Sequence, residues 1–476
     1  MTVASTRAHL AQRSRLILLT MSLGVLVAQI DTSVVNLAVK QIGAKLGAGV
    51  TALQWVVDAY NLVYASLLLT AGTLADLYGR RRIFALGIAL FTLGSLVCGL
   101  APNAVLLVAG RAVAGLGAAL EVPTSLAILT VAYPDTRERT QALGLWASCN
   151  GLAFIIGPTV GGALVDGVGW RSIFLLIIPL CAVTLALTCT SVPESKDPKD
   201  RKLDLPGQAL SIAALGGLSL AVIEGPRWGW DSIGSIVAFA TSAIAAVLFL
   251  RRQAGAAGAL VPLSMLRNRI FATCLGVAAC MTFGMYAMLF LTPLYLQSGR
   301  GDTAILAGVE LLPMSVAFVV VSQLSGKIAN AFGPRLPMTT GMTMMGAGLF
   351  LLALLPFNDS VLLVGTALLV IGCGLGLNTG PVNAVAVANV AAARSGTASG
   401  LVNSARMIGA TLGVAVLGAV FATVAGGAGD SSHIVAGLVP AYTGGGIVEM
   451  VDTAAAFVFI RRDSLHPDVK CAAVRP

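Results

Sequence analysis

Apolar runs of about twenty residues, separated by short polar breaks, recur along the whole chain. A helix needs roughly 17–25 apolar residues to cross a bilayer, and it satisfies its own backbone hydrogen bonds, as lipid demands. The pattern predicts fourteen spans, over 16–37, 52–72, 83–101, 104–130, 142–163, 172–192, 207–224, 232–250, 271–296, 304–325, 337–356, 360–388, 397–424 and 445–460. The alternating short segments of an outer-membrane barrel do not occur. The last span is short and carries Glu449 and Asp452, which predicts an irregular or partly interfacial element.

Composition agrees with this pattern. The 476 residues are 57% hydrophobic and 11% charged, against about 25% charged in ordinary soluble domains. Most of the 30 Lys and Arg collect in the loops and tails of one side, and only Arg111 and Arg406 fall within spans. By the positive-inside rule both termini are expected in the cytoplasm of a plasma membrane. The net charge of +9 is thus topological and says nothing about nucleic acid. Arg7, Arg13 and Arg15 precede a first span longer than a signal-peptide core and without a convincing cleavage site, so the span is expected to stay. The eight cysteines form no C-x-x-C pair, and seven lie in apolar runs, where they read as small hydrophobes.

Two connectors, 193–206 and 251–270, bracket the spans within 207–250 and leave six spans on either side. The expected organisation is a tail (1–15), an N-terminal six-helix bundle (16–192), two extra helices (207–250), a C-terminal six-helix bundle (271–460) and a second tail (461–476). A repeat supports it: GTLADLYGRR from Gly72 aligns with GKIANAFGPR from Gly326, each between the second and third spans of its half. Parallel six-span repeats around a central path are a transporter architecture. The fold class is therefore an all-α polytopic membrane protein of two pseudo-symmetric bundles.

Four ordered motifs carry a family resemblance: QIDTSVVNLAV in the first span, GTLADLYGRRR after the second, RAVAGLGAA in the fourth and GPTVGG in the fifth. Together they resemble the major facilitator superfamily in its fourteen-spanner drug:proton antiporter branch. The resemblance implies that Gly72, Asp76, Gly79, Arg80 and Arg81 form a cytoplasmic latch for the outward-open state. It also implies that Gly157, Pro158, Gly161 and Gly162 form the antiporter motif, a tight and bendable contact. Departures occur where FLLIIPL lacks an asparagine before its proline and NSARMIG lacks a glutamine after its arginine.

The candidate chemistry centres on intramembrane charge. Asp31 sits in the outer half of span one, while Asp58 in span two and Arg111 in span four lie at similar depth. A carboxylate in a span costs roughly 2.5–3.5 kcal/mol on insertion scales, and such groups face the interior and pair. Burial and a basic neighbour act oppositely on a carboxyl's hold on its proton, so Asp31 and Asp58 with Arg111 are a candidate coupling site, simple hydration near the interface being the alternative for Asp58. Glu121, ten residues beyond Arg111, is a second candidate for carrying a proton or meeting a cationic substrate. Purely structural hydrogen bonding is the alternative for each acid. Asn36, Asn378, Asn383, Asn403 and Arg406 are candidate cavity-lining residues. Glu224 and Glu310, and the aromatics Trp55 and Tyr60, are expected at the membrane interface. No histidine lies within a span, so protons fall to carboxylates.

The expected function is export of a hydrophobic, cationic or amphipathic small molecule in exchange for protons, by a monomer in the lipid bilayer. Uptake or exchange of a small metabolite or metal–anion complex is the transporter alternative. A membrane enzyme or sensor is the remote one, since no phosphate loop, H-E-x-x-H or G-x-S-x-G occurs. No cofactor, metal or nucleic-acid partner is expected.

Overall fold

The computed structural model describes residues 3–197, 203–255, 260–355, 357, 360–391, 394–425 and 431–465. His466, Cys471 and most of the second tail lie outside the described residues. The described residues are helical, with no strand among them. The first six helices are α1 (Val3–Leu46), α2 (Val50–Tyr78), α3 (Arg80–Leu100), α4 (Ala104–Ala132), α5 (Thr136–Gly167) and α6 (Arg171–Ser191). Two more follow, α7 (Leu205–Trp228) and α8 (Ile233–Gly255), then a single turn, α9 (Leu263–Leu266). The remainder are α10 (Arg269–Leu294), extended by a π-turn over Tyr295–Gly299, α11 (Ala304–Glu310), α12 (Leu312–Phe332), α13 (Arg335–Leu352), α14 (Val361–Ala388), α15 (Ser395–Ala425) and α16 (Ser431–Phe459).

Thirteen helical segments among the described residues are long and apolar enough to cross a membrane, with α11 and α12 counted as one. The shorter, threonine- and methionine-rich α13, where a further span was expected over 337–356, is not among them and packs on α14 and α16. The span expected over 304–325 is divided after Glu310, because Pro313 in the first turn of α12 has no N–H to continue the ladder. The span expected over 445–460 needs a larger correction. It is a continuous helix of 29 residues, and Glu449 and Asp452 are buried inside the protein rather than interfacial. Their carboxyls face neighbouring helices, so lipid imposes no penalty that would break the helix.

α1 to α6 pack on one another, as do α10 to α16. The two groups repeat each other's close contacts. A Cβ on Gly87 of α3 would lie 2.9 Å from the Gly117 carbonyl of α4, and one on Gly341 of α13 would lie 2.8 Å from the Gly374 carbonyl of α14. In lipid such small-residue seams replace the hydrophobic drive for helix association with backbone-to-backbone packing.

The α7–α8 pair leans on both groups. Gln208 of α7 donates to the Ser66 carbonyl of α2 at 2.7 Å, and Trp55 of α2 donates to Glu224 of α7 at 2.9 Å. Val222 and Ile223 of α7 pack against Ala415 and Ala419 of α15. At the other end Asp204 caps α7 and binds Arg252 and Gln253 of α8 at 2.6 and 2.9 Å.

Candidate functional site

Arg111 is the largest fully buried side chain of the described residues, 2% exposed. Its Nη1 donates to Asp31 Oδ2 at 2.5 Å and its Nε to the Val56 carbonyl at 3.0 Å. The guanidinium carbon lies 4.6 Å from the centre of the Tyr60 ring and 6.0 Å from that of Phe174. One cation thus ties α1, α2 and α6 to α4. Val56 and Tyr60 are one turn apart and share a helix face. Tyr60 is therefore not the interfacial anchor its sequence position suggests: it is 1% exposed and forms the floor under Arg111. The four-residue spacing from Val56 was the signal available for this face.

Asp58 does not join the pair. It stands two positions from both Val56 and Tyr60, about 200° around the helix, which turns it to the opposite side of α2. There it is buried against α7, with Ser219 beside it and neither carboxyl oxygen in hydrogen-bond geometry. Depth was legible in the sequence; facing was not resolved at the level of one helix. Glu121 is 1% exposed, and both its oxygens lack a partner. It lies inside the first six-helix group, within electrostatic reach of Asp31, Tyr64 and Cys181. Asp31 keeps one oxygen, Oδ1, unpartnered as well. The arrangement is one buried cation, one acid bound to it and a second acid nearby with open bonding capacity.

The four residues singled out in GPTVGG, Gly157, Pro158, Gly161 and Gly162, divide between two contacts. Gly157 and Gly161 face α1, where a Cβ on Gly161 would lie 2.8 Å from Val34. Gly162 faces α11, where a Cβ would lie 2.7 Å from the Ala304 carbonyl, and Gly308 of α11 sits directly against the Pro158 carbonyl. Asp166, at the end of α5, accepts from the Ala304 and Ile305 amides at 3.1 and 2.8 Å. These are orphan donors of the α11 N-terminus, which favours an anion. Gln297 in the π-turn donates to the Leu37 carbonyl at 3.0 Å, and Lys40 donates to the Gln297 carbonyl. The two six-helix groups are therefore interlocked at this end of the molecule. Sequence reading missed Asp166, Lys40 and Gln297, since only the fold brings positions so distant in the chain together.

At the opposite end, Asp76 accepts from Arg80 at 2.8 Å. The Arg80 and Arg81 amides donate to the Ser195 carbonyl and to Glu194 at 2.9 and 3.1 Å. Asp197 donates its amide to the Asp76 carbonyl at 3.0 Å. The loop from Gly72 to Arg82 thus holds the segment that leaves α6. The second copy does the same: the Gly333 turn sits against Arg462, which follows α16 and donates to the Phe332 carbonyl at 3.3 Å. Gly79 and Gly333 both adopt positive φ, 111° and 84°, which an L side chain would resist.

The later polar candidates scatter. Asn378 is wholly buried against Gly341 of α13 and donates to the Gly374 carbonyl, so it lies within the second helix group. Asn36 and Asn383 donate to carbonyls one turn back, at 3.2 and 3.4 Å. Asn403 is half-buried. Arg406 donates to the Thr379 carbonyl of α14 at 3.0 Å and stands near Tyr286. Glu224 and Glu310 are partnered rather than simply interfacial, Glu224 by Trp55 and Glu310 by Arg300.

Two repeat-related six-helix groups, interlocked at one end and holding a buried ion pair in the first, define a multi-pass membrane transporter. A family model described as Major Facilitator Superfamily matches residues 21–414, and the chain belongs to that superfamily. It is 41% identical to the multidrug resistance protein Stp of Mycobacterium tuberculosis (strain CDC 1551 / Oshkosh), over 86% of this chain and 76% of that one. It is 34% identical to the methylenomycin A resistance protein of Bacillus subtilis (strain 168), over 85% and 87%. Among solved structures, a bacterial homologue of the human lysosomal transporter Spinster superposes with a TM-score of 0.68, covering 94% of this chain and 97% of that one at 17% identity.

Proposed function

We propose that this transporter exports hydrophobic, cationic or amphipathic small molecules from a bacterial cell in exchange for protons, by alternating access. Efflux is supported by similarity to proteins named for multidrug and methylenomycin A resistance. Proton coupling rests above all on one observation: Asp31 is bound to Arg111 at 2.5 Å while Glu121, buried within its field, has no partner. An unpartnered carboxyl in such a place is costly to ionise, so Glu121 suits a group that binds and releases a proton beside the Asp31–Arg111 pair. Movement of Arg111 between the acids, or arrival of a cation, would exchange their roles. The membrane potential adds about 2.3 kcal/mol per charge per 100 mV.

In this reading both termini are cytoplasmic, the protein works as a monomer, and residues 16–192 and 271–460 rock about residues 207–250. The interlocked end carrying Gly162 and Asp166 is the outer end in its closed form. The Gly72–Arg82 loop is the inner latch, here tied to the chain leaving α6. Inverted membrane vesicles energised by respiration test the proposal, with a fluorescent pH probe and ethidium as the lipophilic cation. Addition of ethidium should collapse part of the pH gradient, and Asp31→Asn should abolish the response. Ethidium accumulation that ignores the gradient, or coupled transport unchanged by D31N, would refute it.

A further inference from the structure

We propose that Glu449 and Asp452 of α16 form a second proton-binding site, inside the C-terminal six-helix group, that loads and releases H⁺ during transport. The cycling role rests on the proton-coupling reading above; the binding site itself does not.

The two acids are three residues apart and share one face of α16. Glu449 is wholly buried with the Gly284 backbone beside its carboxyl, and neither of its oxygens is in hydrogen-bond geometry. Asp452 is 8% exposed, with one oxygen unpartnered. The opposing surface of α10 makes room for both. A Cβ on Gly284 would fall 2.5 Å from Glu449 Oε1, and one on Gly276 would fall 3.1 Å from Asp452 Oδ1. Gly346 of α13 gives similar clearance to Glu449 Cβ, at 3.3 Å. Three glycines on two helices thus leave a pocket that fits carboxyl groups, and a larger residue at any of them would close it.

The neighbours decide the ligand. α10 faces the acids with Cys274 and Cys280, which feel the field of Asp452. Two arginines pack on rings further along α16: Arg335 of α13, 3.8 Å over the Phe457 ring, and Arg269 of α10, 6.0 Å from the Phe459 ring. Both stand beyond Asp452 along α16. Arg406 of α15 is engaged with α14. Among the described residues no basic group lies within ion-pair distance of either acid, and no set of three metal-ligating side chains forms. Two buried carboxyls without a cation cannot both stay ionised at reasonable cost, and a proton is the ligand that neutralises them without needing space.

The internal repeat points the same way. Gly87 of α3 lies against Gly117 and Glu121 of α4, and Gly341 of α13 lies against Gly374 and Asn378 of α14. The counterpart of Glu121 in the second group is therefore an amide that cannot carry H⁺, and the acids of that group sit on α16 instead. Asp452 precedes the end of α16 by seven residues, about 10 Å, and Glu449 by ten, about 15 Å. Asp452 stands between Glu449 and the end where Arg269 and Arg335 sit, in the place of a relay. In each cycle H⁺ adds to a carboxylate oxygen from water on one side and leaves to water on the other, and no other bond changes.

The test uses the full chain in liposomes. Dicyclohexylcarbodiimide labels protonated carboxyls in apolar surroundings, and peptide mass spectrometry locates the adduct. The wild type should carry the adduct on the α16 peptide, less of it as pH rises, and Glu449→Gln should lose it. In the same liposomes E449Q and D452N should lose ethidium-driven H⁺ flux down to the leak of empty liposomes, while ethidium counterflow persists and so reports a folded carrier. Wild-type flux in both variants, or an unlabelled α16, would overturn the proposal. If the wild type itself shows no ethidium-driven flux, the exporter reading fails, and the labelling alone then decides the proton-binding site.

Discussion

Asp31 Oδ2 and Arg111 Nη1 meet at 2.5 Å between α1 and α4, where neither side chain is more than 2% exposed. Exposed ion pairs are worth little because water already solvates both partners. This pair has no such alternative, so removing one member strands the other. Asp31→Asn or Arg111→Gln should each cost about 3–5 kcal/mol of stability. The double variant should cost less than the sum of the singles, because no charge is then left alone. Denaturant titration of the detergent-solubilised protein measures all three.

Tyr60 supports the same cation through its ring rather than its hydroxyl. The hydroxyl reaches the Ala28 carbonyl only at 3.5 Å, while the ring centre is 4.6 Å from the guanidinium carbon. Tyr60→Phe should therefore be nearly neutral. Tyr60→Leu should lose about 2 kcal/mol, the scale of a desolvated cation–π contact, in the same titration.

Gly162 and Gly308 let α5 and α11 close backbone to backbone. A side chain at either position blocks that approach without touching the Asp31–Arg111 pair. Gly308→Val should leave the protein folded but shift it away from the interlocked state. Labelling of a cysteine placed at Gln41 of α1, whose amide donates to the Val165 carbonyl of α5 at 2.8 Å, by a membrane-impermeant maleimide should then speed up. Gly216→Ala, where a Cβ meets nothing within 4 Å, should change neither labelling nor transport.

Asp204 gives a pH signature outside the membrane spans. Burial pushes its carboxyl pKa up, but hydrogen bonds from Arg252, the Gly207 amide and Gln253, with the Arg252 charge, outweigh it and hold the pKa below the ordinary 3.8. A depressed folded-state pKa contributes stability that is complete above the unfolded value and fades as pH falls through the folded one. The thermal stability advantage of the wild type over Asp204→Asn should therefore be flat from neutral pH down to the ordinary aspartate value and shrink only below it. An advantage that grows in acid would contradict this geometry.

Much of the site was visible in the chain itself, and the limits of that reading have particular causes. Asp31 and Arg111 are conspicuous because each is a charge in an apolar span, and helix rise places both at one depth. Asp58 satisfies the same two criteria and yet turns toward α7, since depth says nothing about azimuth. Glu449 and Asp452 looked like the erosion of a last helix, because hydropathy counts a carboxyl as polar whether it meets lipid or a glycine-lined pocket on α10. Asn378 reads as a candidate lining residue from its polarity alone, and only the packing of α13 on α14 shows it against Gly341.

Local chemistry along the chain determined that this is a membrane protein of many helical spans, that its halves repeat, and which charges need a partner. Those follow from the energy of moving each segment from water to lipid, which is a property of the segment alone. Tertiary structure decided who the partners are: Tyr60 beneath Arg111, Asp166 at the α11 N-terminus, Glu194 beneath the Gly79 turn. Such pairings depend on how helices rotate and approach one another. In lipid that is set by close van der Waals fit and interhelical hydrogen bonds, which arise only between surfaces and are written in no single one of them.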